Sequence, residues 1–322
     1  MAGSPLRHGI TAVASCLLVW GGLAGCAPQK QGSAGRPWVV ATSTFLTDWT
    51  QQVGQGVVEV EGLLRPGDDP HLYEPRPTDT RALERADVIL YNGYNLEPNL
   101  IRLVDSVGEQ ARRVAVAEVI PPLQLAKDGK TVPDPHVWGD VAQVVTMVAL
   151  IRDELVQLRP ADAATLTRQA ETYQQTLAQL DRWVERQTAT IPAGRRYLVS
   201  THDAFQYYAR AYGLQVPGTL IGISTEEQPS AQTLRGLVTT LKQLGIPTIF
   251  AETTINPQLM GTVAQEAGVT LAEAKLYSDS TGPAGTPQST YVGMMVHNTC
   301  TIVVGLGGRC QPFTPASGAA QP

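Results

Sequence analysis

From Trp38 onward, short apolar runs rich in β-branched residues alternate with longer stretches whose apolar positions recur every three or four residues. Residues 38–42 (WVVAT), 57–64 (VVEVEGLL), 87–93 (DVILYNG) and 113–119 (RVAVAEV) read as strands. Helices are expected at 48–53, in a short stretch that Pro75 and Pro77 precede and that ends near Ala86, and at 99–107. Residues 140–191 read as helical, broken near Arg159–Pro160 because proline disfavours helix in the residue before it. In the second piece, 161–191, Leu166, Ala170, Tyr173, Leu177, Leu180, Val184 and Gln187 share one face, and Pro192 and Gly194 stop it. A helix of about 30 residues is roughly 45 Å long, more than one small domain needs, so it reads as a rigid connector. Strand-like runs resume at 196–200, 214–223, 248–252 and 269–276, with helices at 203–212, 230–244, 257–267 and 290–306. The expected fold class is therefore α/β, two βα lobes joined by one long helix.

Ahead of this pattern stands a different one. Residues 1–9 carry Arg7 and no acid, and 10–25 form an apolar run too short to span a bilayer comfortably. That is the layout of a secretory signal peptide. It ends Leu23-Ala24-Gly25-Cys26, which resembles a bacterial lipobox with Cys26 as the lipidated first mature residue; a plain signal peptide or an uncleaved anchor are the alternatives. The expected divisions are 1–25 signal peptide, 26–36 flexible tether, 37–159 first lobe, 160–192 linker helix, 193–311 second lobe and 312–322 disordered tail. Export changes the cysteine count: Cys16 leaves with the signal and Cys26 carries lipid, so Cys300 and Cys310 are expected as a disulfide rather than a metal pair.

Composition narrows the function. With 43% apolar and 16% charged residues the chain is globular, and a net charge of -5 without any Lys/Arg run excludes nucleic acid as a partner. The candidate chemistry lies in the histidines. His71 (DPHLYEP) and His136 (DPHVWGD) share an Asp-Pro lead, His202 (THDAFQYY) follows a strand-like run, and Asp279 (LYSDS) follows the last one. All four fall in loops at the ends of elements, where open α/β sheets bind ligands. Proline stiffens the chain before each imidazole, and Asp69 or Asp134 is placed to hydrogen-bond a ring's second nitrogen, fixing its tautomer. Trp138 and Tyr73 are candidate apolar walls. Spacings of 65, 66 and 77 residues match no short-range zinc motif, so the pattern, not the spacing, suggests a metal site. Glu252, at a strand end, is either a support for that site or a helix-start carboxylate. His297 reads as packing or capping. Glu226 and Glu227 begin a helix or serve as docking acids, and the glycines at 305–308 follow a helix, so they are no phosphate loop.

The motifs DPHLYEPRPTD, DPHVWGD, LVSTHDAFQYYARAYG, IFAETTINP, LYSDS and TYVGMMVHN, in this order, resemble the TroA-like family, the solute-binding receptors of ABC importers for zinc, manganese or iron. The resemblance runs from about Trp38 to Arg309. It implies two lobes with four-stranded parallel sheets, a bridging helix, and one metal ion buried between them by His71, His136, His202 and Asp279. It implies a monomer with no organic cofactor, working with a membrane permease and its ATPase on the outer face of the bacterial cytoplasmic membrane. Manganese receptors of one branch carry Glu in a Ser-Glu-Gly context where this chain has Thr201-His202-Asp203. Three nitrogens and one carboxylate favour Zn²⁺. Zinc-dedicated members often carry a histidine-rich loop, whereas residues 124–133 (QLAKDGKTVP) hold no histidine, so both Zn²⁺ and Mn²⁺ are expected, zinc first. The alternatives are an exported zinc hydrolase, although no HExxH or GxSxG is present, and a surface adhesin or structural lipoprotein with an incidental site; some receptors of the family are also assigned adhesive roles.

Overall fold

The computed structural model describes residues 1–4, 35–127 and 130–315, and the described residues from 35 onward belong to one compact unit. The expected signal peptide after residue 4, Cys26, the tether as far as residue 34 and the last seven residues lie outside the described residues. No described helix is long and apolar enough to cross a membrane.

The first four strand-like runs form one parallel sheet. Strands β1 (Trp38–Ala41), β2 (Glu59–Gly62), β3 (Val88–Tyr91) and β4 (Arg112–Ala115) lie in the order β2-β1-β3-β4, with Ala41 beside Leu90 and Leu90 beside Val114. Helices α1 (Thr44–Gly54), α2 (Pro77–Arg85) and α3 (Pro98–Val107) connect them. The wider reach of α1 than the expected 48–53 has a local cause: Ser43 caps it through the Leu46 N–H. Central strands of a parallel sheet are covered on both faces, so Val39, Val40, Ala41, Ile89 and Leu90 are completely buried.

Between β4 and the long helices sits an antiparallel hairpin, β5 (Gln124–Lys127) and β6 (Lys130–Pro133), which the sequence pattern passes over as a loop. Helices α4 (Val141–Leu158) and α5 (Ala163–Thr188) follow, parted by a short 3₁₀ turn at Pro160–Asp162. The proline break falls where expected, but α5 has 26 residues, hence about 39 Å rather than 45 Å. Its stripe Leu166, Ala170, Tyr173, Leu177, Leu180 and Val184 is buried in one continuous apolar cluster with α1 and α4.

In the second half, the four expected strand runs do lie side by side, but their ladder is fragmentary. Leu198 N–H donates to Gln215 O (2.8 Å), Phe250 N–H to Val199 O (2.9 Å), and Ala272 N–H to Ile249 O (2.9 Å). Only β7 (Thr248–Ile249) and β8 (Thr270–Leu271) pair as regular strands, with single bridges at Tyr197/Gln215 and Glu252/Leu276. The reasons are chemical. Pro217 and Pro247 bring no N–H, and residues 273–275 bulge out between Ala272 and Leu276, which bond the carbonyls of Ile249 and Ala251. Helices α6 (Gln206–Ala211), α7 (Ala231–Leu244), α8 (Gln258–Ala267) and α9 (Tyr291–Gly305) complete the order. Cys300 and Cys310 form a disulfide with Cα atoms 5.2 Å apart. The tail expected to be disordered from residue 312 is packed as far as Phe313, whose ring meets Trp183 edge-on at 5.6 Å.

One buried acid interrupts this apolar picture. Glu97, 1% exposed, accepts the Asn92 N–H and the Thr42 hydroxyl, both at 2.7 Å. Burial pushes its carboxyl from the usual 4.5 up to about 7, against the pull of those two hydrogen bonds. Between these pH values the folded chain keeps a proton that the unfolded chain has released, so metal-free stability falls as pH rises from about 4.5 to 7. Glu97→Gln, which cannot ionise, is expected to match the wild type at pH 4 and exceed it at pH 8 by on the order of 3 kcal/mol in urea unfolding. Equal stability at both pH values would contradict this.

Candidate metal centre

Four loops deliver the four expected side chains to one point. His71 leaves the segment after β2, His136 precedes the 3₁₀ turn Val137–Gly139, His202 follows the run ending at Ser200, and Asp279 follows Leu276. One candidate ligand atom from each lies within 4.8 Å of every other, and all four residues are buried. His71 Nε2 is 3.3 Å from His136 Nε2, His202 Nε2 is 3.1 Å from Asp279 Oδ2, and His136 Nε2 is 3.5 Å from Asp279 Oδ1. Tetrahedral zinc with bonds of about 2.0–2.1 Å separates its ligands by about 3.3 Å, so these separations already have the size of a coordination shell. Asp279 turns one oxygen toward each of two imidazoles, and can therefore ligate through one or both.

Each support acts through a named hydrogen bond. Asp134, completely buried, takes both the N–H of His136 (3.0 Å) and its Nδ1 (2.7 Å) on one oxygen. Glu252 does the same for His202 with two oxygens, accepting the backbone N–H at 2.9 Å and Nδ1 at 2.5 Å. With Nδ1 as donor, Nε2 of each ring in its neutral form bears the lone pair that faces the cluster, which for His202 requires the loss of a proton. Glu252 thus hydrogen-bonds His202 through both oxygens. Asp69 accepts the His71 backbone N–H (2.9 Å), which tightens the loop. Burial, then the charge of Asp279, lifts the Asp69 carboxyl to about 6.

Electrostatics tie the two halves of the cluster. Burial disfavours charge on His202, but Glu252 and Asp279 outweigh it and hold its pKa well above the usual imidazole value. Conversely, burial would raise Asp279, yet His202, with His71 and His136, holds it well below the usual carboxylate range. Replacing Glu252 by Gln should lower Zn²⁺ affinity about 10- to 100-fold near pH 8. The loss should shrink at lower pH, because Gln also releases the proton that competes with metal at His202; chelator competition at the two pH values checks it.

Of the expected walls, Trp138 meets the His136 ring edge-on at 5.3 Å and stacks on Phe45 at 4.3 Å. Its Nε1 donates to the carbonyl of Ser278, next to Asp279. Tyr73 instead turns its hydroxyl to Asp79 at the start of α2. His297 stands outside the cluster, with Nε2 2.9 Å from Lys275 O and its ring edge-on to Tyr277. A cavity of 520 Å³ reaches His71 between Tyr91, Tyr94, Glu118, Pro135 and Glu226. Asn92 and Glu97 were not singled out in the sequence; the turn-forming Asn92-Gly93 in NGYNLEP was the available signal.

Three imidazoles and one carboxylate converge, in an α/β fold, on a point where they could hold one metal ion. The chain belongs to the ZnuA family, zinc-uptake complex component A, periplasmic, whose profile matches residues 39–305. It is 38% identical to the zinc-binding protein TroA of Treponema pallidum over 91% of this chain and 98% of that one. It is 35% identical to the manganese-binding lipoprotein MntA of Bacillus subtilis over 94% and 100%. Among solved structures, the periplasmic zinc-binding TroA superposes with a TM-score of 0.80 at 37% identity, covering 84% of this chain and 99% of that one. Fe(III)-bound YtgA of Chlamydia trachomatis gives 0.78 at 25% identity, covering 86% and 100%.

Proposed function

We propose that this protein is an extracytoplasmic receptor that captures one Zn²⁺ or Mn²⁺ ion and delivers it to the permease of an ABC importer. The observation that carries the reading is the buried cluster of His71, His136, His202 and Asp279, with ligand atoms within 4.8 Å of one another, in a chain of the zinc-uptake family. Metal is cargo here, not a resident cofactor. Four protein groups closing on one point suit holding an ion, whereas a catalytic zinc usually keeps three and leaves a position for water, so the protein acts as a receptor and not as an enzyme.

Around this core stand the finer parts of the reading. The chain is a monomer, held to the outer face of the membrane by lipid on Cys26, with residues 26–36 as tether. Residues 37–159 and 193–311 act as two metal-binding lobes linked through 160–192. Support comes from the lipobox-like sequence and from a relative named a lipoprotein. Metal-stripped protein titrated with Zn²⁺ and with Mn²⁺ should give one site per chain; two sites, or none, would overturn the assignment. Zinc at about 1,000 times Kd should stabilise the fold by about 4 kcal/mol. Growth of a deletion strain under zinc versus manganese starvation decides the cargo, since in-vitro affinity follows the Irving–Williams order and favours zinc.

A further inference from the structure

His136 is fixed from two sides. Its ring is held by Asp134, and its backbone by the carbonyl of Pro135, which accepts the Val137 N–H at 2.9 Å and the Asn92 side-chain Nδ2 at 3.0 Å. Asn92 is 2% exposed and lies just past the carboxyl end of β3. Its own backbone is pinned twice: the carbonyl accepts the Ala117 N–H at 2.9 Å, and the N–H goes to Glu97 Oε1. That same oxygen takes the Thr42 hydroxyl, just past the end of β1. The chain reaches this arrangement by turning back through three successive left-handed residues, Gly93, Tyr94 and Asn95, with φ of 89°, 50° and 58°. Two of them carry a Cβ, so the turn is unfavourable in isolation and is over-determined by its surroundings.

Nothing in the sheet itself calls for a fully buried carboxyl at this place. Glu97 Oε2 is buried without a partner among the described residues, a cost that a simple turn would avoid. What the arrangement achieves is a continuous line of hydrogen bonds from the sheet to His136, independent of the β5–β6 hairpin that precedes it in the chain. We propose that Asn92 and Glu97 are positioning residues for the bound metal, setting the Pro135–His136 peptide in register with the first sheet so that the His136 imidazole stands ready before the ion arrives. This rests on the receptor reading above. Preorganised ligands lose less freedom on binding and release the ion more slowly.

The test uses the full chain, loaded with Zn²⁺ for affinity and dissociation rate and with Co²⁺ for its ligand-field spectrum. Asn92→Ala and Glu97→Ala are each expected to lower Zn²⁺ affinity about 10- to 100-fold, mainly through faster dissociation, and to shift the Co²⁺ bands. Glu97→Gln keeps a carbonyl oxygen for both donors and is expected to restore affinity and bands close to wild type. A merely structural role would depress the melting temperature of the metal-free protein and leave the Co²⁺ bands unmoved. Folded Asn92→Ala with wild-type bands and dissociation rate would overturn the proposal, as would Glu97→Gln as defective as Glu97→Ala. Should Asn92→Ala fail to fold, the two Glu97 variants carry the same comparison. Wild type and His136→Ala are run alongside. If the wild type binds no single ion, or His136→Ala binds as well as it does, the receptor reading fails instead.

Discussion

Asp279→Ala is expected to abolish tight metal binding, lowering Zn²⁺ affinity by well over about 100-fold, beyond the range for loss of a supporting residue. Asp279 is the only anion among the four converging side chains, and all four are buried. A dication held by three neutral imidazoles alone would keep its full charge away from water, where uncompensated charge is costly. Both oxygens of Asp279 already face the imidazoles, at 3.1 Å and 3.5 Å, so alanine removes every oxygen donor at once. Asp279→Asn, which retains one uncharged oxygen, should fall between the two and separates the loss of charge from the loss of a contact. Competition with a metal indicator on metal-stripped, folded protein measures this. Wild-type affinity in a folded Asp279→Ala protein would remove the residue from the site.

The second large effect is on pH. Metal requires a bare nitrogen, and the metal-free His202 keeps its proton well above 6.5 because Glu252 and Asp279 outweigh the burial that opposes it. Ion entry therefore releases that proton, and Zn²⁺ affinity should fall about tenfold for each pH unit below the His202 pKa. Asp279 stays ionised throughout this range and releases none. The sign for stability is opposite in the two states. The His202 charge stabilises the metal-free fold below about pH 6.5 and that contribution fades as pH rises through the folded pKa, while the contribution of metal grows with pH. The difference in melting temperature between loaded and metal-free protein should therefore widen from pH 6 to pH 8. Calorimetry in buffers of different ionisation enthalpy should count about one proton released per ion at pH 7. Affinity independent of pH across this range would show that His202 enters the site already neutral.

Much of the architecture was legible because it rests on local chemistry. Pattern and proline placed β1, β3, the break before Pro160 and the buried stripe of α5, since periodicity follows directly from which face meets the core. The same reasoning overextended the second-half strands, because pattern records which residues are apolar and not whether a ladder of N–H groups continues past Pro217 or the bulge at 273–275. It also passed over the β5–β6 hairpin, whose sequence QLAKDGKTVP carries a turn but only a weak alternation.

By itself, then, the sequence determined the α/β class and the long helix and singled out four candidate ligands, because residue type and local stiffness are written residue by residue. The tertiary structure alone decided that these four side chains, 65 to 77 residues apart along the chain, meet within 4.8 Å. It alone assigned Glu252 to His202, Trp138 to the carbonyl beside Asp279, and Asn92 to the peptide that carries His136. Contacts between distant segments depend on how the sheets and helices pack, and packing is a property of the folded whole, to which no single stretch of sequence holds the key.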